Sequence, residues 1–169
     1  MNIIDAIVTR RSIRKYTDKE ISDEQINLLL KAAMYAPSAG NNQPWHFVVI
    51  DNREIMNELM KVHPYAQMLK EAKLAVLICG DENLELGKGY WAVDCGASTQ
   101  NLLLAAHGIG LGAVWLGVHP REERKKAIRQ LIKLPENIQP FSLISIGYPA
   151  EKKPVPERFR EERIHRNGW

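Results

Sequence analysis

The chain has 169 residues, of which 45% are hydrophobic and 25% charged, with a formal net charge of +3. This is the composition of an ordinary globular domain with enough apolar content for a core, so residues 1–169 are expected to form one unit. The charge is too small, and the basic residues too scattered, to demand a nucleic-acid partner, and no apolar run approaches the roughly 20 residues that cross a bilayer.

Met1–Asp5 lacks the charged start and apolar stretch of a signal peptide. The two cysteines, Cys79 and Cys95, match no metal-binding spacing and read as buried, reduced thiols. The cytoplasm is the expected compartment. No set of residues reads as a metal site.

In chain order, Asn2 can cap a short helix whose Ile3, Ile4, Ile7 and Val8 share a face. A basic cluster, Arg10 to Tyr16, follows at once. Ser22 and Gln25 form the pattern of a capping box, and Ile26, Leu29, Leu30, Ala33 and Met34 continue at helical spacing. That helix should stop at Ala36-Pro37, since the residue before proline avoids helical geometry. A polar loop, 38–44, leads into a strand over 45–50, and Asp51 with Glu54 signals another helix start.

Residues 74–79 are long enough for a buried strand. Residues 90–107 read as a long helix ended near Gly108, with small residues Cys95, Gly96, Ala97 and Ser98 at its middle. A strand over 111–118, a helix near 121–132 and a strand near 141–147 follow. From Pro149 onward, prolines among many charges suggest an extended arm. The mixture of long helices with apolar strands is an α+β pattern around a central sheet. Small residues in mid-helix and an arm without a place on a compact monomer together suggest a dimer. Ordinary packing within one chain would also account for the small residues.

Four groupings could carry chemistry. Arg10, Arg11, Ser12 and Arg14 could grip a phosphate, because guanidinium groups bind phosphate in forks and a hydroxyl adds a donor. The loop from Pro37 to Gln43 offers amide and hydroxyl groups suited to a heteroaromatic ring edge, with Gly40 for a tight turn. Glycines within Gly112–Gly117 fit the close approach of a ligand or backbone. Arg158, Arg160 and Arg163 give the arm a basic stretch. Each has a plain structural reading too: a solvated turn, a polar connection, a strand end, a charged tail. The histidines are scattered, and His107 falls at a helix end, where a partly positive imidazole is favoured. No dinucleotide fingerprint, P-loop or Ser–His–Asp set is present. No side chain is therefore expected to act as catalyst itself, the profile of a protein whose bound cofactor carries the reaction.

The groupings occur in the order of a known family. Arg10-Arg11-Ser12-Ile13-Arg14-Lys15-Tyr16, the stretch Ala36–Trp45, Gly110-Leu111-Gly112 with Trp115-Leu116-Gly117, and the tail through Arg158 and Arg160 resemble four motifs of the FMN-dependent nitroreductases. The resemblance implies an α+β fold with a mostly antiparallel central sheet flanked by helices. It also implies a homodimer that exchanges the arm of residues 148–169 and binds FMN at the interface. Arg10, Arg11, Ser12 and Arg14 would then hold the phosphate and ribityl chain, with Arg158 and Arg160 closing on the phosphate. Pro37, Ser38, Ala39, Asn41 and Gln43 would line the flavin from the other subunit. Leu116 and Gly117 would offer backbone N–H groups near the flavin N5. The implied activity is a ping-pong oxidoreductase. NADH or NADPH would be the donor and a nitroaromatic, quinone or similar small molecule the acceptor. The chain is short for this family, and the segment around 62–90 that shapes the substrate pocket would be reduced. A non-catalytic FMN-binding module or redox sensor, and another flavin reaction such as dehalogenation or azoline oxidation, are the alternatives.

Overall fold

The computed structural model describes all of residues 1–169. Four strands, β1 (Trp45–Ile50), β2 (Leu74–Asp81), β3 (Gly112–Gly117) and β4 (Ile138–Gly147), make one antiparallel sheet in the order β1-β2-β4-β3. Five helices accompany it: α1 (Ile3–Thr9), α2 (Asp23–Met34), α3 (Arg53–Val62), α4 (Tyr90–Gly108) and α5 (Glu122–Ile132). The α+β architecture follows the sequence reading.

Helix ends are set by the capping groups the sequence offers. Asn2 accepts from the Asp5 N–H at 2.9 Å, and Ser22 and Gln25 bond reciprocally at 3.3 and 3.1 Å. The third helix is capped by Asn52, which accepts from the Ile55 N–H at 3.1 Å, in place of the expected Asp51. Helix α4 does end at Gly108, but the residue that turns the chain is Gly110, at φ +82°. Its N–H reaches the His107 carbonyl at 3.1 Å and the Leu111 N–H reaches Ala106 at 2.8 Å, the paired bonds of a left-handed helix stop. Strand β4 begins three residues before the expected start. Pro140 disguised it: a proline gives no ladder N–H, and this one faces Cys79, where the β2–β4 register shifts by a bulge.

Both faces of the sheet are covered, which explains why β2 is apolar throughout instead of alternating. Leu77, Leu143, Val114 and Leu116 pack with Met56 and Leu59 of α3 and Ile128 of α5. Val76, Ile78, Ile144 and Ile146 pack with Leu29 and Ala33 of α2 and Cys95, Leu102 and Ala106 of α4. Cys95 and Ser98, two of the small residues of α4, are buried within this layer. Both thiols are free and buried, and burial pushes the Cys79 thiol up to about 12.

The two ends of the chain meet beside the β3 edge. Ser12 forms a parallel bridge with Ala113, and the Ile13 N–H donates to the Ala113 carbonyl at 3.1 Å. Tyr16 pairs with Pro149, Thr17 donates to Tyr148 at 2.9 Å, and Ala150 donates to Lys15 at 2.9 Å. The buried Tyr16 hydroxyl lies 2.7 Å from the Ile13 carbonyl and 3.1 Å from that of Ser145. From Pro154 the arm is exposed and has no strand or α-helix. No helix is long and apolar enough to cross a membrane.

Ile13 lies so close to β3 that a Cβ on Gly112 would stand 2.7 Å from its side chain. Gly112→Ala is expected to destabilise the protein by about 1–3 kcal/mol through this overlap. Gly108→Ala, which meets no atom within 4 Å, should not. Urea unfolding of the two variants makes the comparison.

Candidate cofactor site

Arg10 is half-buried immediately after α1, and its guanidinium pKa is pushed down first by burial, then by the neighbouring charges of Arg11 and Arg158. The arm thus returns Arg158 to the N-terminal cluster of its own chain. None of the Arg10, Arg11, Arg14, Arg158 and Arg160 guanidinium groups is in an ion pair; the one paired carboxylate beside them, Glu151, is shared between Lys153 and the Arg14 backbone N–H. Clustered guanidinium groups that are not ion-paired form an anion-binding surface.

The five arginines are not equivalent. Arg11 donates through Nε to Pro154 at 3.0 Å and through Nη2 to Val8 at 2.8 Å, and also bonds the Arg10 carbonyl. Its donors tie the end of α1 to the start of the arm. The Arg14 backbone N–H is held by the Glu151 carboxylate at 2.6 Å, a bond that also keeps the Glu151 pKa low. Arg160 donates to the Phe159 carbonyl at 3.0 Å. His107 differs from the sequence expectation: burial lowers its pKa, and Arg10 and Arg11 lower it further, so the neutral ring is favoured despite the helix terminus. Its Nε2 lies 2.8 Å from the Thr9 hydroxyl.

The loop Pro37–Gln43 is preshaped. Gly40, Asn41 and Gln43 all have positive φ, at 59°, 56° and 49°. Two of these are not glycine, a conformation that persists only when the surroundings enforce it. The Ser38 hydroxyl accepts from the Gln43 N–H at 3.0 Å, and the Gln43 side chain donates to Asn41 at 3.0 Å. The Ala39 N–H donates at 3.0 Å to Asp94 of α4. Asp94 is 4% exposed, and its second carboxylate oxygen has no partner within the chain.

At the end of β3 the ladder decides which backbone groups are free. The Val118 N–H donates to Phe141 at 3.2 Å, while Ala113 accepts from Ile13 on the opposite side. Antiparallel alternation then turns Leu116 toward β4 and Gly117 toward the open edge. The Gly117 carbonyl is already taken, by His63 Nε2 at 3.0 Å and Arg124 Nη1 at 2.8 Å.

One chain does not bring all the groupings together. The arginine cluster and Gly117 lie along the β3 edge, whereas the loop leads into β1 at the other edge. Three strand spacings separate these edges, about 14 Å. Three supporting residues escaped the sequence reading. Asp94 carried a faint signal, an acid within an otherwise apolar helix stretch, since such groups are rarely buried without a partner. His63 carried none, because it acts on a carbonyl 54 residues away, and Arg124, seven residues from the same carbonyl, is one of several charged residues in its helix with nothing to single it out.

A basic edge with an open backbone N–H, on a four-stranded sheet covered by helices, is an arrangement that could hold an anionic cofactor along a strand. The comparisons agree: the model of the nitroreductase family matches residues 7–91 and 61–148, and the chain belongs to this family. A protein of Methanothermobacter thermautotrophicus, provisionally named NADH dehydrogenase/NAD(P)H nitroreductase, is 49% identical over 169 residues, covering 100% of this chain and 88% of its own. The structure of an FMN-dependent nitroreductase from Clostridium difficile R20291 superposes with a TM-score of 0.91 at 32% identity, covering 98% of this chain and 99% of that one. The NADPH:FMN oxidoreductase of Vibrio harveyi, solved with NAD+, gives 0.88 at 28% identity over 100% of this chain and 78% of its own.

His63 permits a pH prediction. Its Nδ1 accepts from the Tyr65 N–H at 3.2 Å while Nε2 faces the Gly117 carbonyl, so the neutral Nε2–H form fits and a second proton would oppose the Tyr65 N–H. Burial first, and Arg124 after it, hold its pKa below the ordinary value. Below about pH 6.5 the unfolded chain therefore takes up a proton that the folded chain refuses, and stability falls as pH drops. His63→Gln should reduce this acid slope, measured by urea unfolding at about pH 7.5 and 5.5.

Proposed function

We propose that this chain is an FMN-dependent NAD(P)H oxidoreductase that works as a homodimer with two flavins at its interface. The observation that carries the reading is the β3 edge. Unpaired arginines gather beside Ala113, and the Gly117 N–H opens onto the same edge four residues farther along. That is about 13 Å of strand, a length suited to a phosphate at one end and a ring at the other, joined by a ribityl chain.

Arg10, Arg14, Arg158 and Arg160, with Ser12, would hold the phosphate. Arg11, with its donors on carbonyls, would contribute charge and brace the arm. Gly117 is better placed than Leu116 to offer an N–H at the N5 edge, because the Leu116 group turns into the sheet. The bound isoalloxazine would supply the redox chemistry, taking hydride from NADH or NADPH and reducing a nitroaromatic, quinone or similar small acceptor in a ping-pong cycle. The protein would contribute placement: bringing donor and ring to reacting distance accounts for a large share of such rate enhancements.

The second subunit would supply the other wall through Pro37, Ser38, Ala39, Asn41 and Gln43. A two-fold axis would bring the loop edge of one copy to the arginine edge of the other and complete two sites at once. The apolar surface supports this pairing. Ile3, Ile4, Ile7 and Val8 of α1 are 50–74% exposed, and Val93 of α4 and Phe159 of the arm are also open. An exposed apolar patch of this kind marks an interface.

The test is an absorbance spectrum of the purified protein before and after anaerobic NADH and NADPH. Flavin bands that bleach are expected. A flavin that stays oxidised with both donors would indicate a binding module, and a protein that cannot be loaded with FMN would overturn the reading. Arg10→Ala is expected to weaken FMN binding about 10- to 100-fold, the loss of a charged hydrogen bond of roughly 1.5–3 kcal/mol, while the fold persists. Fluorescence titration with FMN measures it.

A further inference from the structure

Gly117 ends an edge strand and has no side chain to anchor it, yet, like Trp115, it turns its backbone N–H and carbonyl toward the open edge. Its carbonyl receives two side-chain donors from separate elements. His63, in the connection from α3 to β2, is fully buried, and both ring nitrogens are engaged. Arg124, in the first turn of α5, bonds the same oxygen, and the Tyr65 ring lies 5.3 Å from its guanidinium carbon. Arg124 is in no ion pair, so its positive charge is uncompensated beside this strand end.

Resting on the flavin reading above, we propose that Arg124 is a positioning residue of the flavin site. Together with His63 it fixes the Gly117 peptide, and it sets a positive charge beside the edge where N5 would lie. The geometry gives the two donors separable effects. The ladder on either side holds the strand, but losing either donor lets the Gly117 backbone rotate between Leu116 and Val118, and its N–H then loses its aim at a ring held at the far end by its phosphate. The charge acts in addition. Hydride transfer moves two electrons and a proton from the dihydronicotinamide to the ring, leaving the donor cationic and the ring more negative. A guanidinium within about 10 Å, one Debye length at 0.1 M salt, favours that change. The effect reaches the ring without Arg124 touching it.

The test compares FMN-loaded wild type, Arg124→Gln, Arg124→Lys and His63→Gln. The readouts are midpoint potential against a reference dye, FMN dissociation constant and melting temperature. Arg124→Gln should lower the ratio of reduced to oxidised flavin about tenfold at fixed dye poise, a midpoint about 30 mV more negative for a two-electron couple. Arg124→Lys keeps the charge and should stay near the wild-type potential. His63→Gln should raise the FMN dissociation constant about tenfold, as expected for one displaced donor. Arg124→Gln with wild-type potential and FMN affinity, altered only in melting temperature, would overturn the proposal. So would Arg124→Lys shifted as far as Arg124→Gln, since the charge would then be irrelevant. Wild-type protein that takes up no FMN would overturn the flavin reading itself.

Discussion

The parallel bridge between Ser12 and Ala113 governs where the rest of the candidate site can lie. An edge strand presents a row of unpaired backbone groups, and something must cover or use them. Here the N-terminal segment covers the Ala113 end of β3 and leaves the Gly117 end open. The same segment carries the arginines, so satisfying the edge and assembling the basic cluster are one event. The pairing of Tyr16 with Pro149 then directs the C-terminal arm back over the cluster, where Arg158 joins Arg10.

This arrangement depends on rigidity behind it. Strands β2 and β4 are buried on both faces, between the α2/α4 layer and the α3/α5 layer. Side chains from those outer layers then secure irregular backbone at the sheet's ends: Asp94 holds the loop after α2, and His63 and Arg124 hold the end of β3. Conformations such as the positive φ of Asn41 and Gln43 are unfavourable alone and need neighbours that fix them. The candidate site is thus made of strained or terminal backbone, supported from behind by buried polar groups.

Much of the fold was legible because it is written in local chemistry. The caps at Asn2 and Ser22, the apolar period of α2 and the solid apolar run of β2 each act over a few residues. The exceptions are also local competitions: Asn52 outcompeted Asp51 as a cap, and Pro140 concealed the start of β4 by sitting at a bulge. The candidate site was legible only where motifs are contiguous, as in Arg10–Arg14 and Pro37–Gln43. The neutral bias of His107 comes first from burial and then from arginines about a hundred positions away, and the clamp on Gly117 joins residues 63, 117 and 124. Tertiary proximity of that kind leaves no periodic or compositional trace.

The placement of the basic cluster and the loop Pro37–Gln43 on opposite edges of one sheet has a genetic corollary. If two copies pair as proposed, every flavin is bounded by two different polypeptides. Two alleles, each inactive alone because one lacks the arginines and the other the loop, would complement when co-expressed: a mixed pair rebuilds one intact site and one doubly damaged site. Selection on either half would then act on encounters between chains, and a damaged copy would depress the output of the sound copies it joins.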